Sequence, residues 1–536
     1  MAYNCWGRGA YLWGFLCQTD PVVATVSERT RNVVAARIIR GVPAWGVVAG
    51  AVLAGLLVAV VSPSHVVYAA IAIPVALSAT LISPQSAVLV LPVWMTMLGL
   101  FRRLAAGGSS ATLSGDPMLL IGPITIIALL LFGNSNRSKV AATPFSRVVL
   151  AFNIVAIVEA ANPNQGGFLA GVAGLLFVCV PTLAFWVGRR FGTEEMLWRV
   201  GWTIALLSLF CAMYGLYQQF VSFPSWDLNW INSKGYTALN LGSGVVRAFS
   251  TFSSAQEYAV FLSVGVVTWA VLAVRQARWP LPLHLAALAV VATALFYESQ
   301  RTSVFITALA LGVILAARLR FRPVTVGVAA LGAVVALVVF AGAIGGGGGG
   351  SAAFQGEQSA GAVLANHQLA GITDPTGSGS SLPGHIKATR QGVLQAFKHP
   401  LGHGSGSVNL AASHFSTKAV KGTEFDPGNM GIAFGIAGVL IYLLLLRYAT
   451  SSGYRIAVRR RDPMGLFVLG VTMATLLQWT NGNLYSVCWL LWLVMGIGDG
   501  MLASGEEAIE SPQVSNAAAP FQWRRPGEPR RTRALS

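Results

Sequence analysis

Three arginines stand where a positive charge needs a reason. Arg301 lies in Glu298-Ser299-Gln300-Arg301-Thr302-Ser303, at the start of an apolar run that ends at Arg318. At 1.5 Å of rise per residue, a helix over that run spans roughly 25 Å. A cation at a helix N-terminus opposes the helix dipole, and an anion held at the same place offsets the conflict. The plain alternative is an arginine paired with Glu298. Arg247 precedes another apolar run, where Ser254 and Glu257 have capping-box spacing. By itself Arg247 reads as a surface residue. Arg390 falls within the stripe Ile386, Val393, Leu394 and Phe397 of an amphipathic helix. A cation on an apolar face calls for a partner. Pro400 ends that helix, and Leu401-Gly402-His403-Gly404-Ser405-Gly406 follows. Successive backbone N–H groups in such a turn can form an anion nest. All three arginines suit phosphate, because the guanidinium fork binds oxygens in pairs and stays charged.

Carboxylates, imidazoles and amides gather in the same stretches. Glu424 and Asp426 stand two apart before a span, placed to act as a general base or to hold a divalent cation. Five of the seven histidines, among them His367, His399 and His403, fall between 345 and 428, in no zinc-like spacing. His399 and His403 are candidates for a catalytic or binding role, and the others read as surface residues. Gln218, Gln219 and Glu298 sit at one set of span ends with Trp226 beside them, and His399 in the 345–428 stretch is a further candidate for sugar binding. Amides beside aromatic faces suit sugars, which offer hydroxyls and apolar ring faces.

These groups are carried by an unusually apolar chain. Of 536 residues, 54% are hydrophobic and 10% charged, against about 25% charged in a typical soluble protein. The composition excludes a water-soluble enzyme, a disordered scaffold and a nucleic-acid binder. Fourteen spans are expected, at 42–61, 66–82, 85–101, 118–133, 145–161, 166–188, 197–217, 258–274, 284–297, 302–317, 324–344, 429–446, 464–480 and 484–501. The third and ninth are short, so about 12–14 transmembrane helices are expected. The expected organisation is an N-terminal tail at 1–41, seven spans within 42–217, and an outer loop at 218–257. Four spans within 258–344, a large outer loop at 345–428, three spans within 429–501 and a disordered tail at 502–536 complete it. Five cysteines form no disulfide framework, and residues 1–41 lack the apolar core of a cleavable signal.

Lysine and arginine bias sets the orientation. With both termini inside, 26 of the 36 basic residues fall in inner segments. The net charge of +17 is then mostly a topology signal, with some contact to anionic lipid. Arg102 and Arg103 dissent, since this arrangement puts them outside. Middle thirds of the spans are almost free of charge, which argues against a coupled transporter. Amides and aromatics collect at outer ends and arginines at inner ends, so chemistry is expected at the outer membrane boundary.

The chain resembles the O-antigen ligase/polymerase superfamily of bacterial membrane glycosyltransferases over roughly 60–500. Loose motifs match in order: Glu159-Ala-Ala-Asn-Pro163, Tyr214-Gly-Leu-Tyr-Gln-Gln219, Arg247-Ala-Phe249, the stretch at Arg301, Pro400-Leu-Gly-His-Gly404 and Gly435-Ile-Ala-Gly438. The resemblance implies an all-α polytopic fold with a large periplasmic loop, GT-C-like, in the bacterial inner membrane. It implies a donor glycan on undecaprenyl diphosphate, no metal, no cofactor and no nucleotide sugar. Arg247, Arg301 and Arg390 become diphosphate ligands, and Asp426, Glu424 or His403 the base. Ligases of the family place a His-Asn pair where this chain reads Asp426-Pro-Gly-Asn429, which favours a polymerase of exopolysaccharide or O-antigen repeats. The alternatives are a ligase acting on another acceptor, a polysaccharide or anion transporter, and a structural member of an export assembly. A chain-length regulator or export assembly is an expected partner, alongside the lipid-linked oligosaccharide and the bilayer.

Overall fold

The computed structural model describes residues 65–105, 116–133, 140–234, 240–241, 245–275, 280–319, 360–373, 382–409, 415–418, 420–459, 463–480 and 482–510. The expected spans at 42–61 and 324–344, the N-terminal tail and residues 511–536 lie outside the described residues, whereas residues 502–510, expected in the disordered tail, continue the last helix. The other twelve expected segments are helical. In chain order the first helices are α1 (His65–Ile82), α2 (Pro84–Ala105), α3 (Ile121–Phe132), α4 (Pro144–Glu159), α5 (Phe168–Phe191) and α6 (Glu194–Phe220). Then come α7 (Ser225–Lys234), a two-stranded hairpin of β1 (Asn240–Leu241) and β2 (Val245–Val246), α8 (Ala255–Arg275), α9 (Leu281–Glu298) and α10 (Arg301–Arg318). The remainder is α11 (Ala360–Thr373), α12 (Leu382–Lys398), α13 (Asp426–Arg459), α14 (Pro463–Ala474) and α15 (Tyr485–Glu510).

Eight of these helices are long and apolar enough to cross a membrane, the pattern of an all-α multi-pass membrane protein. They are α2, α5, α6, α8, α9, α10, α13 and α15. The span-length stretch of α15 is wholly buried and packs along α5. Small residues permit that approach: a side chain at Gly188 would strike the backbone of Leu493 and Ile497. By contrast α9 and α10 are the least buried of the eight. Apolar side chains such as Ile154, Ile157, Leu169, Leu440 and Leu443 are exposed around the bundle, as a lipid-facing surface requires. Among the described residues Cys179, Cys211 and Cys488 are buried.

Polar contacts define the two ends of the bundle. At one end Arg189 meets Asp499 at 3.3 Å, and Thr143 donates its hydroxyl to the same carboxylate. Thr143 also caps α4 in a reciprocal capping box with Ser146, and Pro144 at the first helical position needs no N–H partner. The opposite end carries the segments 218–257 and 345–428, and is called the loop end here. There Ser254 accepts the Glu257 amide at the start of α8, as its spacing predicts. The Glu257 carboxylate in turn takes the amides of Ser253 and Ser486, tying α8 to α15.

The dissenting pair Arg102-Arg103 is also at the loop end, and it is neutralised. Arg102 donates to Asp116 at 2.6 Å, and Arg103 pairs with Asp227 of α7 at 2.7 Å. The Arg103 guanidinium also donates to the carbonyls of Phe252 and Ser250. A paired, buried arginine is a structural cross-link, so these two charges carry little orientation signal. They fasten α2 to the segment 225–253.

Candidate functional site

Arg247 and Arg301 come together at the turn between α9 and α10. Arg247 leaves β2 and crosses to the end of α9, donating Nε to the Glu298 carbonyl at 2.9 Å. Its Nη2 donates to the Glu298 carboxylate, whose side chain is fully buried. The second carboxylate oxygen of Glu298 accepts the Gln300 amide at 3.0 Å. Three residues along, Arg301 opens α10 and donates Nη2 to the His367 carbonyl at 2.7 Å. The His367 imidazole lies 3.4–3.5 Å from the same nitrogen. Glu298 is therefore the partner of Arg247, and Arg301 has no acidic partner in these contacts.

The sequence builds this turn by strain and cover. Ser299 closes α9 in the left-handed region at φ 68°, a conformation rare for a residue with a side chain. Gln300 then occupies the N-cap position of α10 without a capping side-chain bond. Helix α11 packs on the ends of α9, α6 and α10 and on β2, with Gly361 set against Phe220. Burial pushes the His367 imidazole below its usual range, and the Arg301 and Arg247 charges add to that. The imidazole is thus held neutral, with lone-pair capacity, beside two guanidinium groups.

The loop that delivers Arg247 is held by the amides expected to bind sugar. Gln218 donates to Asp227 at 2.7 Å and accepts the backbone amides of Phe249 and Ser250. Gln219 accepts the amide of Ala248. Tyr214 donates to Asp227 at 2.6 Å and receives the indole N–H of Trp226, which is partly exposed. Gln218 and Gln219 sit two and one positions before the end of α6 and are buried. The capacity of Gln218 is spent on the protein and the oxygen of Gln219 on Ala248, so both help to position Arg247.

The Gly-rich turn is no anion nest. Gly402, His403 and Gly404 donate their N–H groups to His399, Ile432 and Ala433 carbonyls. Ser405 and Ser407 donate to the Glu159 and Gly404 carbonyls, and Gly406 to the Gln165 side chain. All six amides from Gly402 to Ser407 are satisfied within the protein. The turn instead plugs a break in α13 at Gly435, where φ is 59° and the chain needs glycine. A side chain on Gly435 would collide with the Pro400 carbonyl. His403 is half-buried there, its Nδ1 3.1 Å from the Ile432 carbonyl oxygen, and the exposed His399 ring lies 4.5 Å from it.

The remaining predicted residues are placed apart. Arg390 is exposed on α12, which packs chiefly on α13 through close contact of Gly392 with Gly428. Its apolar stripe does not form the packed face: Ile386 and Phe397 are exposed, and the buried residues are Gly392 and Ala396. The cation therefore sits on an open surface and requires no internal partner. Asp426 is fully buried at the start of α13. One of its oxygens accepts from the Tyr442 hydroxyl and from the amides of Trp479 and Thr480. It cross-links α13 to the end of α14, while its Oδ1 is buried with no hydrogen-bond partner in the protein. Glu424 faces His385 at 3.4 Å, so the two carboxylates serve different partners and do not converge as a cation site. Among the described residues no three His, Cys, Asp or Glu side chains are grouped to hold a metal ion.

Two site residues escaped the sequence reading, His367 and Gln368. The signal for Gln368 was present: Gly361, Leu364 and Gln368 form the buried stripe of α11 at helical spacing, and a glutamine on such a stripe is out of place. His367 is adjacent to it. No family model and no curated protein sequence matches the chain.

Proposed function

We propose that the chain is a membrane glycosyltransferase that polymerises oligosaccharide units carried on undecaprenyl diphosphate, at the outer face of a bacterial inner membrane with both termini cytoplasmic. The observation carrying this reading is the meeting of Arg247 and Arg301 at the α9–α10 turn. Among the described contacts two guanidinium groups meet one buried carboxylate, a balance suited to a diphosphate. The turn joins the two least buried of the span-length helices, which favours approach of a polyprenyl tail from the lipid side.

The chemistry is a displacement at the anomeric carbon of the donor sugar. An acceptor hydroxyl oxygen forms the new bond to that carbon, and the bond from the carbon to the diphosphate oxygen breaks. The electron pair leaves with undecaprenyl diphosphate, whose growing charge Arg301 and Arg247 stabilise. The acceptor proton passes to a base. His367, neutral and in contact with Arg301, suits that role better than the enclosed Asp426. His403 and Glu424, the other bases weighed from sequence, lie with the α13 elements rather than at the turn.

The test is reconstitution in liposomes with an undecaprenyl-diphosphate-linked repeat unit, followed by sizing of the product. Longer glycan on the same lipid is the expected result. Transfer to a different acceptor lipid indicates a ligase, and unchanged substrate rejects the transferase reading.

A further inference from the structure

The α9–α10 turn holds buried polar groups that the protein leaves without partners. They are the Ser299 hydroxyl, Gln300 Oε1, Arg301 Nε and both amide atoms of Gln368. Gln368 and Ser299 are each less than one-tenth exposed. Ser299, Gln300 and Arg301 are the turn itself, α11 packs against the ends of α9 and α10, and Arg301 is bonded to His367, the neighbour of Gln368. Native proteins pair nearly all buried polar atoms, so a group of exceptions asks for a ligand or for ordered water.

The contrast with Gln218 is instructive. That amide, on the other side of Arg247, donates and accepts at full capacity. Gln368 is as deeply buried and does neither. The orphaned set mixes donors with acceptors and carries one cation. An inorganic anion leaves the Gln300 and Gln368 oxygens unused. A pyranose fits, because neighbouring hydroxyls or an acetamido group present a donor and an acceptor to one carboxamide.

We propose that the Ser299–Arg301 turn and the Gln368 face of α11 form a subsite for the first sugar of the lipid-linked donor, with Gln368 as its specificity residue. The inference rests on the diphosphate reading above, since the sugar bonded to a diphosphate at Arg301 falls beside these groups. Helix α11 covers the subsite, so loading requires α11 to part from the turn. Discrimination follows from burial: a site that hydrogen-bonds a sugar rejects one that leaves its buried groups unpaired.

The experiment measures binding of three probes to the reconstituted full chain: undecaprenyl diphosphate, its N-acetylglucosamine derivative and its glucose derivative. Wild type is expected to bind a glycosylated probe about 10-fold more tightly than the bare lipid. Gln368→Leu is expected to lose that increment, to bind the bare lipid unchanged and to unfold at no lower temperature, since it removes an unpaired polar group. Gln300→Leu gives the same readout should Gln368→Leu not fold. A loss confined to the acetamido sugar assigns the amide to that group, and an equal loss to a diol; both support the subsite. Unchanged glycosylated-lipid binding with a lowered unfolding temperature overturns it, and makes Gln368 a water-satisfied structural residue. No preference for glycosylated lipid in wild type also overturns the subsite while leaving the diphosphate reading intact. Failure of wild type to bind any of the three probes rejects that reading and the subsite with it.

Discussion

Two polar regions at the loop end are built from the same residue types and are used in opposite ways. Around Asp227, charges are matched: Arg103 pairs with Asp227, Arg102 with Asp116, and Tyr214 and Gln218 both donate to Asp227. Around the α9–α10 turn the balance is left open, with Arg301 facing a carbonyl and a neutral imidazole, and Gln368 facing nothing. The first region gains rigidity, and holds the loop from which Arg247 projects. The second keeps its hydrogen-bonding capacity for something the protein does not supply. On the proposed reading the closed network positions and the open one binds.

The largest expected effect breaks the closed network. Asp227→Ala leaves Arg103 buried without a counter-charge and is expected to cost about 3–5 kcal/mol. Thermal unfolding in detergent measures it. The double change Arg103→Met with Asp227→Leu is expected to recover only part of that loss, because it removes both charges but leaves the Tyr214 and Gln218 donors without their acceptor. Arg301→Gln acts on the open region instead. It is expected to lower glycan transfer by about 10- to 100-fold, the worth of a charged hydrogen bond, with little change in unfolding temperature. A steady-state assay on the lipid-linked substrate checks it.

A smaller effect concerns pH. Burial and two guanidinium charges depress the His367 pKa from its usual 6.5, so the folded protein holds this proton less tightly than the unfolded chain does. Stability from this group is complete above 6.5 and falls as pH drops toward the depressed value, where the unfolded state takes up the proton first. Transfer is expected to fall on the same acidic limb, as the base is protonated. His367→Gln is expected to flatten the acidic limb of the stability profile, measured by unfolding across pH 5 to 8. The smallest effect is at Ser299, whose left-handed conformation at φ 68° suits glycine. Ser299→Gly is expected to stabilise by up to about 1 kcal/mol without touching the closed network. Equal responses of the two regions to these changes would dissolve the distinction between them.

Much of the helical pattern was legible because bilayer length and apolar composition are local properties of sequence. The start of α8 was equally clear, since Ser254 and Glu257 are a short-range signal. The site was legible in part. Arg301 stood out through its position at a helix start, and Arg247 gained meaning only when Glu298 was found beneath it. Arg390 was misleading for a definite reason. Its stripe of Ile386, Leu394 and Phe397 read as a packed face, whereas α12 packs through glycine and alanine and turns those side chains outward. The turn after Pro400 misled likewise, because its amides are taken partly by carbonyls beside the break at Gly435 and partly by Glu159 and Gln165, all distant in sequence. The apposition of His367 and Arg301 is a long-range contact with no local signature.

The account turns on where a lipid diphosphate binds. Undecaprenyl diphosphate bearing a photoreactive group beside its phosphates, incorporated into liposomes with the protein, reports this directly. Adducts are expected between 298 and 302 and on α11 near His367, and they should diminish when Arg301 is changed to Gln. Adducts confined to α12 around Arg390, or to the opposite end of the bundle around Arg189, contradict the account.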